Sequence, residues 1–285
     1  HVHIMRNLSK ELDGYTIGEA IGRGARSVIH EVKRETDGKV FAAKCVHVRN
    51  EDDRRVFRHL KNENHILEEI HGTDEVPPQI VRRVDFVQVR KFFRLKGACL
   101  ILERVPGPDL QRYSDYSLDE KIDFMAQICK GLMFIHEQGY IHGDLKPDNM
   151  LLDDSGEARL IDFGFAAPIG SDVEGVKGTW GYLAPEQTGG VLDPKTDVYN
   201  LGATMYWLFT GENLPYVVPN GDKSAGFIGA ESLKPTPPHQ LNPDLPRELS
   251  ELLLRCCNSD GGYRPPLQRV YNMLHDLALR RSMSV

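Results

Sequence analysis

Apolar and polar residues alternate along the first hundred positions, and the spacing then changes to threes and fours. Residues 15–22 and 28–34 are short alternating runs joined by Arg23-Gly24-Ala25-Arg26-Ser27, which predicts a β-hairpin with a glycine-rich tip. The turn signal Asp37-Gly38 leads into a third strand at 39–48, a helical stretch follows, and two more strands fall near 80–90 and 98–103. Pro106-Gly107-Pro108 breaks this pattern. Beyond the break, 117–136 is the clearest helix: Ser117-Leu118-Asp119-Glu120 fits a capping box, and Leu118, Ile122, Met125, Cys129, Leu132 and Ile135 recur at helical spacing up to Gly139. Residues 211–246, rich in Pro and Gly, predict loops around one short helix, and helices near 247–256 and 267–279 close the chain. There is no internal repeat and no low-complexity tract.

Composition narrows the picture. With 285 residues, 40% hydrophobic and 27% charged, the chain suits one large domain or two lobes. Net charge is −6, which argues against a general nucleic-acid binder. Uncharged apolar runs such as Ala98-Cys99-Leu100-Ile101-Leu102 are far too short to span a bilayer, so neither a membrane nor a nucleic acid is expected as partner of this segment. Residues 1–102 carry 19 basic and 15 acidic side chains (net +4), and residues 103–285 carry 16 and 26 (net −10). An acidic second half suits a divalent metal or basic partners, and a solvated surface equally well. The chain opens His1-Val2-His3, without an initiator Met or a secretory signal, so residues 1–13 read as a linker or an appended segment. The five cysteines (Cys45, Cys99, Cys129, Cys256, Cys257) lack metal-type spacing; buried free thiols in a reducing, cytoplasmic compartment are expected.

The chemistry concentrates between Asp144 and Asp162. His142-Gly143-Asp144-Leu145-Lys146-Pro147-Asp148-Asn149 enters the apolar run Met150-Leu151-Leu152, and a turn at Asp154-Ser155-Gly156-Glu157 returns the chain through Ala158 to Asp162-Phe163-Gly164. A loop of Ser155 and Gly156 would pair Asn149 directly with Asp162 at the open end of the hairpin. An amide oxygen beside a carboxylate suits Mg²⁺. Asp144 stands where it can accept a hydroxyl proton. On the third strand, alternation places Lys44 on an apolar face with Val40, Ala42 and Val46. The following helix carries Glu63 within the stripe Leu60, Leu67, Ile70. Two misplaced, opposite charges predict a Lys44–Glu63 ion pair with Lys44 aimed at phosphate oxygens. The tip Gly22-Arg23-Gly24-Ala25-Arg26-Ser27 lets backbone amides approach phosphates, and Ile21 and Ile29, with Ala42, are placed to sandwich a flat base.

In this order the chain resembles a Hanks-type (eukaryotic-like) serine/threonine protein kinase over roughly residues 14–280. The likeness rests on the glycine loop, Ala42-Ala43-Lys44, Glu63, the Asp144 loop, Asp162-Phe163-Gly164, Ala184-Pro185-Glu186, Asp197-Val198-Tyr199-Asn200-Leu201-Gly202 and Arg264. The resemblance implies an α+β bilobal fold: a small, mostly β N-lobe with one helix at 14–103, a larger, mostly α C-lobe at 104–280, and an ATP cleft between. It implies ATP and Mg²⁺ (or Mn²⁺) as cofactors and Ser/Thr-bearing proteins as substrates, with autophosphorylation among them. By the same likeness Asp144 is the catalytic base and Lys146 steadies the moving phosphoryl group, while Asn149 and Asp162 hold metal. Leu102 is the gatekeeper, Glu103 and Val105 offer backbone groups to adenine, Asp109 meets the ribose, and Leu151 underlies the base. Thr179 marks the substrate segment of the serine/threonine branch, and Glu186, Asp197 and Arg264 are structural.

Two departures stand out. Ser27 replaces a loop glycine, and Gly143 replaces the arginine that ordinarily receives an activation-segment phosphate, which predicts activity without that phosphorylation. His142-Gly143-Asp144 alone also resembles small-molecule phosphotransferases acting on aminoglycosides or choline. A nucleotide-binding pseudokinase is the non-enzymatic alternative, and it would require the loss of a residue such as Lys44 or Asp144.

Overall fold

The computed structural model of the protein describes residues 12–23, 27–106, 115–216 and 233–283. The chain divides into two compact units: Val81–Val105 with the residues up to Asp74 form one, and Glu75–Ile80 with the residues from Pro106 onward form the other.

The first unit is an antiparallel sheet with one helix. Strands β1 (Tyr15–Arg23), β2 (Val28–Arg34), β3 (Val40–His47), β4 (Arg83–Lys91) and β5 (Arg94–Glu103) lie in the order β1-β2-β3-β5-β4. The period-2 pattern does what it predicts. Ala43 and Cys45 of β3 bury with Leu12, Tyr15, Val32, Val89, Cys99 and Ile101, so Lys44 between them faces the other way. Helix α1 (Glu51–His71) starts at Asn50, whose side chain accepts from the Asp53 amide at 2.9 Å, and it buries Leu60, Glu63, Ile66, Leu67 and Ile70.

The cysteine expectation fails here. Cys45 and Cys99 are joined in a disulfide, because the β3–β5 register sets them directly opposite, with Cα atoms 4.2 Å apart. A reducing compartment therefore no longer follows from cysteine usage. Cys129, Cys256 and Cys257 are free and buried, as expected. Burial pushes the Cys256 thiol up to about 12 and raises the other two as well.

The second unit is mostly helical. Helix α2 (Leu118–Glu137) carries the expected capping box: the Ser117 hydroxyl accepts from the Glu120 amide at 3.2 Å, and the Glu120 carboxylate accepts from the Ser117 amide at 2.7 Å. Strand β6 (Tyr140–Ile141) follows, then a loop, then the hairpin β7 (Met150–Leu152) and β8 (Ala158–Leu160). Strand β9 (Ala167–Pro168) pairs with β6. Ile80, expected in a strand of the first unit, instead bridges Leu160 in this one.

Helix α3 (Pro194–Thr210) is buried on nearly every side. A β-carbon on its Gly202 would meet Cys256 and Cys257 at 2.7 Å, so the cysteine pair is packing. Helices α4 (Pro238–Leu241), α5 (Arg247–Cys256) and α6 (Leu267–Ser282) complete the unit. A sheet-rich unit followed by a helix-rich one is the α+β class expected. Among the described residues no helix is long and apolar enough to cross a membrane.

The β7–β8 hairpin corrects the sequence register by one residue. Met150 pairs with Leu160, Leu151 with Arg159 and Leu152 with Ala158, leaving a loop of Asp153 to Glu157 instead of a two-residue tip. The Asp153 carboxylate causes this, accepting from the Ser155 amide and the Glu157 amide at 2.9 Å and from the Ser155 hydroxyl at 2.6 Å. Asn149 consequently stands opposite Ile161, whose amide donates to the Asn149 carbonyl at 3.0 Å, and Asp162 lies one position further along.

Candidate active site

In the first unit, β3 supplies Lys44 and α1 supplies Glu63. Their side chains meet at 2.8 Å (Nζ to Oε2), with Glu63 fully buried. A buried carboxylate without its ammonium would be costly, so each charge explains the position of the other. Ile29 and Leu100 flank Lys44 across the sheet, with Ala42 two positions along. Gly22 pairs with Ile29 and Arg23 with Val28, so the hairpin tip begins beyond them. Ser27 is buried and Ile21 is exposed; Gly24 lies outside the described residues. Leu102 and Glu103 end β5, and Glu103 is tied to Arg82 in both directions, its amide donating to the Arg82 carbonyl and its carboxylate accepting from the Arg82 amide, each at 2.9 Å. Val105 is buried, and its carbonyl accepts from the Arg104 guanidinium at 3.1 Å. Asp109 also lies outside the described residues.

In the second unit the loop between β6 and β7 gathers the remaining groups. Asp144 is buried and anchored on three sides. Its Oδ1 accepts from the Thr179 hydroxyl at 2.8 Å, its Oδ2 accepts from the Asn149 amide nitrogen at 3.2 Å, and the Lys146 ammonium stands 3.9 Å from Oδ2. The same Asn149 nitrogen donates to the Asp144 carbonyl at 2.7 Å, which leaves the amide oxygen as the atom Asn149 offers elsewhere. Lys146 Nζ donates to the Thr179 hydroxyl at 3.0 Å, so base, ammonium and hydroxyl form one connected group. Desolvation pushes the Asp144 carboxyl up, Lys146 and Thr179 oppose it, and the negative charge of Asp162 raises it further. Asp162 is thus close enough for its charge to be felt. Its φ of +61° is in the left-handed region that aspartate tolerates better than most residues, and its Oδ1 accepts from the Gly164 amide at 3.3 Å. Asp144 and Asn149 are therefore joined by hydrogen bonds, and Asp162 is one position beyond the Asn149–Ile161 pair, near enough for its charge to act on Asp144, although the register is not the expected one. Leu151, on β7, is half-buried.

Buried anchors hold this loop. Asp197 of α3 accepts from the His142 and Gly143 amides at 2.8 and 2.9 Å, and its Oδ2 lies 2.8 Å from His136 Nε2. Burial pushes the Asp197 carboxyl up, but the His136 and His142 interactions and the Gly143 amide outweigh it, and the net shift is downward. His142 packs edge-on against Phe163 and hydrogen-bonds the Ile161 carbonyl at 3.0 Å, a packing role. Glu186 and Arg264 form a two-pronged pair at 2.6 and 3.0 Å, and the Thr196 hydroxyl donates to Glu186 at 2.8 Å. The Glu186 carboxyl is likewise raised by burial and lowered, on balance, by Arg264.

Gly143 is a built feature of the loop. Its φ is +77°, and a β-carbon would meet the Phe165 carbonyl oxygen at 2.9 Å, so an arginine does not fit this backbone. What sequence reasoning missed is Gln187. Its amide is buried and fully used: nitrogen donates to the Gly143 and Lys177 carbonyls at 2.6 and 2.9 Å, and oxygen accepts from the Ala184 amide and the Asn200 side chain, each at 2.8 Å. One side chain ties the Asp144 loop to the Thr179 segment and to α3. Its only signal in the sequence is its place directly after Glu186.

The comparison with known proteins agrees with this arrangement. The family model described as the protein kinase domain matches residues 15–275. The serine/threonine-protein kinase pkn2 of Myxococcus xanthus is 28% identical over 289 residues, covering 95% of this chain and 33% of its own length. The serine/threonine-protein kinases PknB of Mycolicibacterium smegmatis and PrkC of Bacillus subtilis are 27% and 26% identical, covering 88% and 90% of this chain and 41% and 39% of their own. The chain belongs to the protein kinase family, as a Hanks-type kinase domain. It spans about a third of the length of such curated relatives.

Proposed function

We propose that this chain is the catalytic domain of a serine/threonine protein kinase, moving the γ-phosphoryl group of ATP to Ser or Thr hydroxyls of protein acceptors, itself included. The observation that carries the reading is the buried Asp144 carboxylate, joined to Asn149, Thr179 and, through that hydroxyl, Lys146. Asp144 takes the acceptor's proton as the oxygen attacks phosphorus, and the bond to the β-phosphate oxygen breaks in line. Lys146 offers its ammonium to the moving phosphoryl oxygens, and Lys44, oriented by Glu63, holds nucleotide phosphates. In the first unit Ile21, Ile29, Ala42 and Leu102 are proposed to contact the adenine, with backbone groups of Glu103 and Val105 at its edge; the role expected for Leu151 in the second unit remains a proposal of the same likeness.

Asn149 and Asp162 are the residues that would hold Mg²⁺. The fit is chemical: they offer hard oxygens, and the mutual repulsion of Asp144 and Asp162 is what a divalent cation relieves. Such an ion supplies charge neutralisation at the phosphate oxygens. The cytoplasm is the proposed location because ATP is the donor.

Activity is proposed to be independent of activation-segment phosphorylation. Gly143 cannot receive a phosphate, and Gln187 already ties the segment to the loop. Phosphatase-treated and untreated protein should turn over equally, and a collapse after treatment would reject this.

Asp144→Asn tests the base. Turnover should fall about 10²–10⁴-fold. Because the folded Asp144 carboxyl titrates higher than in the unfolded chain, its ionisation costs stability as pH rises through the folded value. Asparagine keeps one oxygen for the Thr179 hydroxyl but turns its amide toward the Asn149 amide, so the melting temperature is followed beside turnover to show that the variant is folded. A folded variant with parental turnover would remove Asp144 from this role.

A further inference from the structure

The tip of the β4–β5 hairpin contradicts the rules that shape the rest of the sheet. Lys91 pairs with Arg94, so Phe92 and Phe93 form a two-residue turn, with φ of +48° and +64°. Such a turn requires left-handed backbone at both positions and favours Asn-Gly, whereas bulky side chains are outliers there. Both rings point into solvent, Phe92 87% and Phe93 97% exposed, the two most exposed large apolar side chains among the described residues. Neither packs on the core, so folding gains nothing from the choice of phenylalanine.

The flanks are equally unusual. Arg90, Lys91, Arg94 and Lys96 are all exposed, and between Asp85 and Glu103 the chain holds no acidic residue. Two like charges, Lys91 and Arg94, stand directly opposite each other, which weakens a hairpin. Backbone, apolar exposure and charge each work against the isolated fold, and an outlier of this kind points toward function.

We propose that this tip is a docking point for an anionic lipid surface. The two rings would enter the headgroup boundary while the four cations lie among lipid phosphates and carboxylates, the combination that holds peripheral proteins on membranes. Charge and the bare rings select this occupant together: four positive charges with no acidic residue among them call for an anionic surface, and two exposed rings at the same tip call for an apolar layer beneath that surface, which an apolar protein groove or a purely polar acidic face does not combine. The sequence expectation of no membrane partner rested on the lack of a spanning run, and surface contact needs no span. This inference does not rest on the kinase reading.

Co-sedimentation of the whole chain with vesicles tests it. Binding is expected to vesicles of phosphatidylcholine with roughly a third phosphatidylserine, weakened by salt, and absent on pure phosphatidylcholine. The double variant Phe92→Asn with Phe93→Gly suits the turn and should keep or raise the melting temperature while lowering vesicle binding at least about tenfold. Replacing the cations Arg90, Lys91, Arg94 and Lys96 with Gln should weaken binding about fivefold for each charge removed. No binding to the anionic vesicles, equal binding to neutral ones, or unchanged binding by the Asn-Gly variant would overturn the proposal. So would sedimentation-velocity self-association that the Asn-Gly variant abolishes, which would make a second copy the occupant.

Discussion

Each unit contains an ion pair with a fully buried member, and the two pairs are built differently. In the first unit Lys44 brings a compact ammonium to Glu63 at 2.8 Å. In the second, Arg264 brings a planar fork, and all five of its donors are used: two on Glu186, and one each on the carbonyls of Lys195, Asn258 and Ser259. The guanidinium also lies over the Tyr199 ring, 5.0 Å from its centre. A fork with every donor satisfied and 2% exposure is a lock, since no N–H remains for a ligand. An ammonium on a flexible stem has no such fixed fork. Identical charges thus sit in two geometries, a planar fork closed on five acceptors in one unit and a compact ammonium on a flexible stem in the other.

The comparison is broken most directly at Arg264. Arg264→Met leaves Glu186 and three carbonyls without their donors, and should cost about 3–5 kcal/mol, read from the denaturant midpoint. Lys44→Met should instead lower turnover about 10²–10³-fold, with a stability loss smaller than that of Arg264→Met. Equal stability losses would show that Lys44 is a lock as well. The finest distinction lies at Gln187, a positioning residue. Gln187→Leu should cost about 1–3 kcal/mol and raise KM for the protein acceptor while KM for ATP stays near the parent value. Gln187→Glu keeps the shape and loses both donations to Gly143 and Lys177, so it should share the acceptor effect; a parental KM in that variant would reduce Gln187 to packing.

Much of the architecture was legible beforehand because local patterns and final structure agree. The period-2 runs became β1 to β5, the capping box at Ser117 starts α2 where expected, and the misplaced charges of Lys44 and Glu63 found each other. The failures share a cause. The β7–β8 register slipped by one because the Asp153 carboxylate organised a longer loop, a side-chain decision that hydrophobic pattern does not encode. Cys45 and Cys99, 54 positions apart, became partners only through strand pairing. Gln187 looked like any polar residue until four partners from three segments closed around it.

Periodicity and the spacing of charged residues along the chain determined which elements form, which faces they bury and which acids and amines the protein carries. Register, disulfide pairing and the closure of the Asp144–Asn149–Thr179–Lys146 group were decided in three dimensions. Those depend on which distant backbone and side-chain groups end up within about 3 Å of one another, and hydrogen bonds are too short-ranged and directional for sequence spacing to foretell.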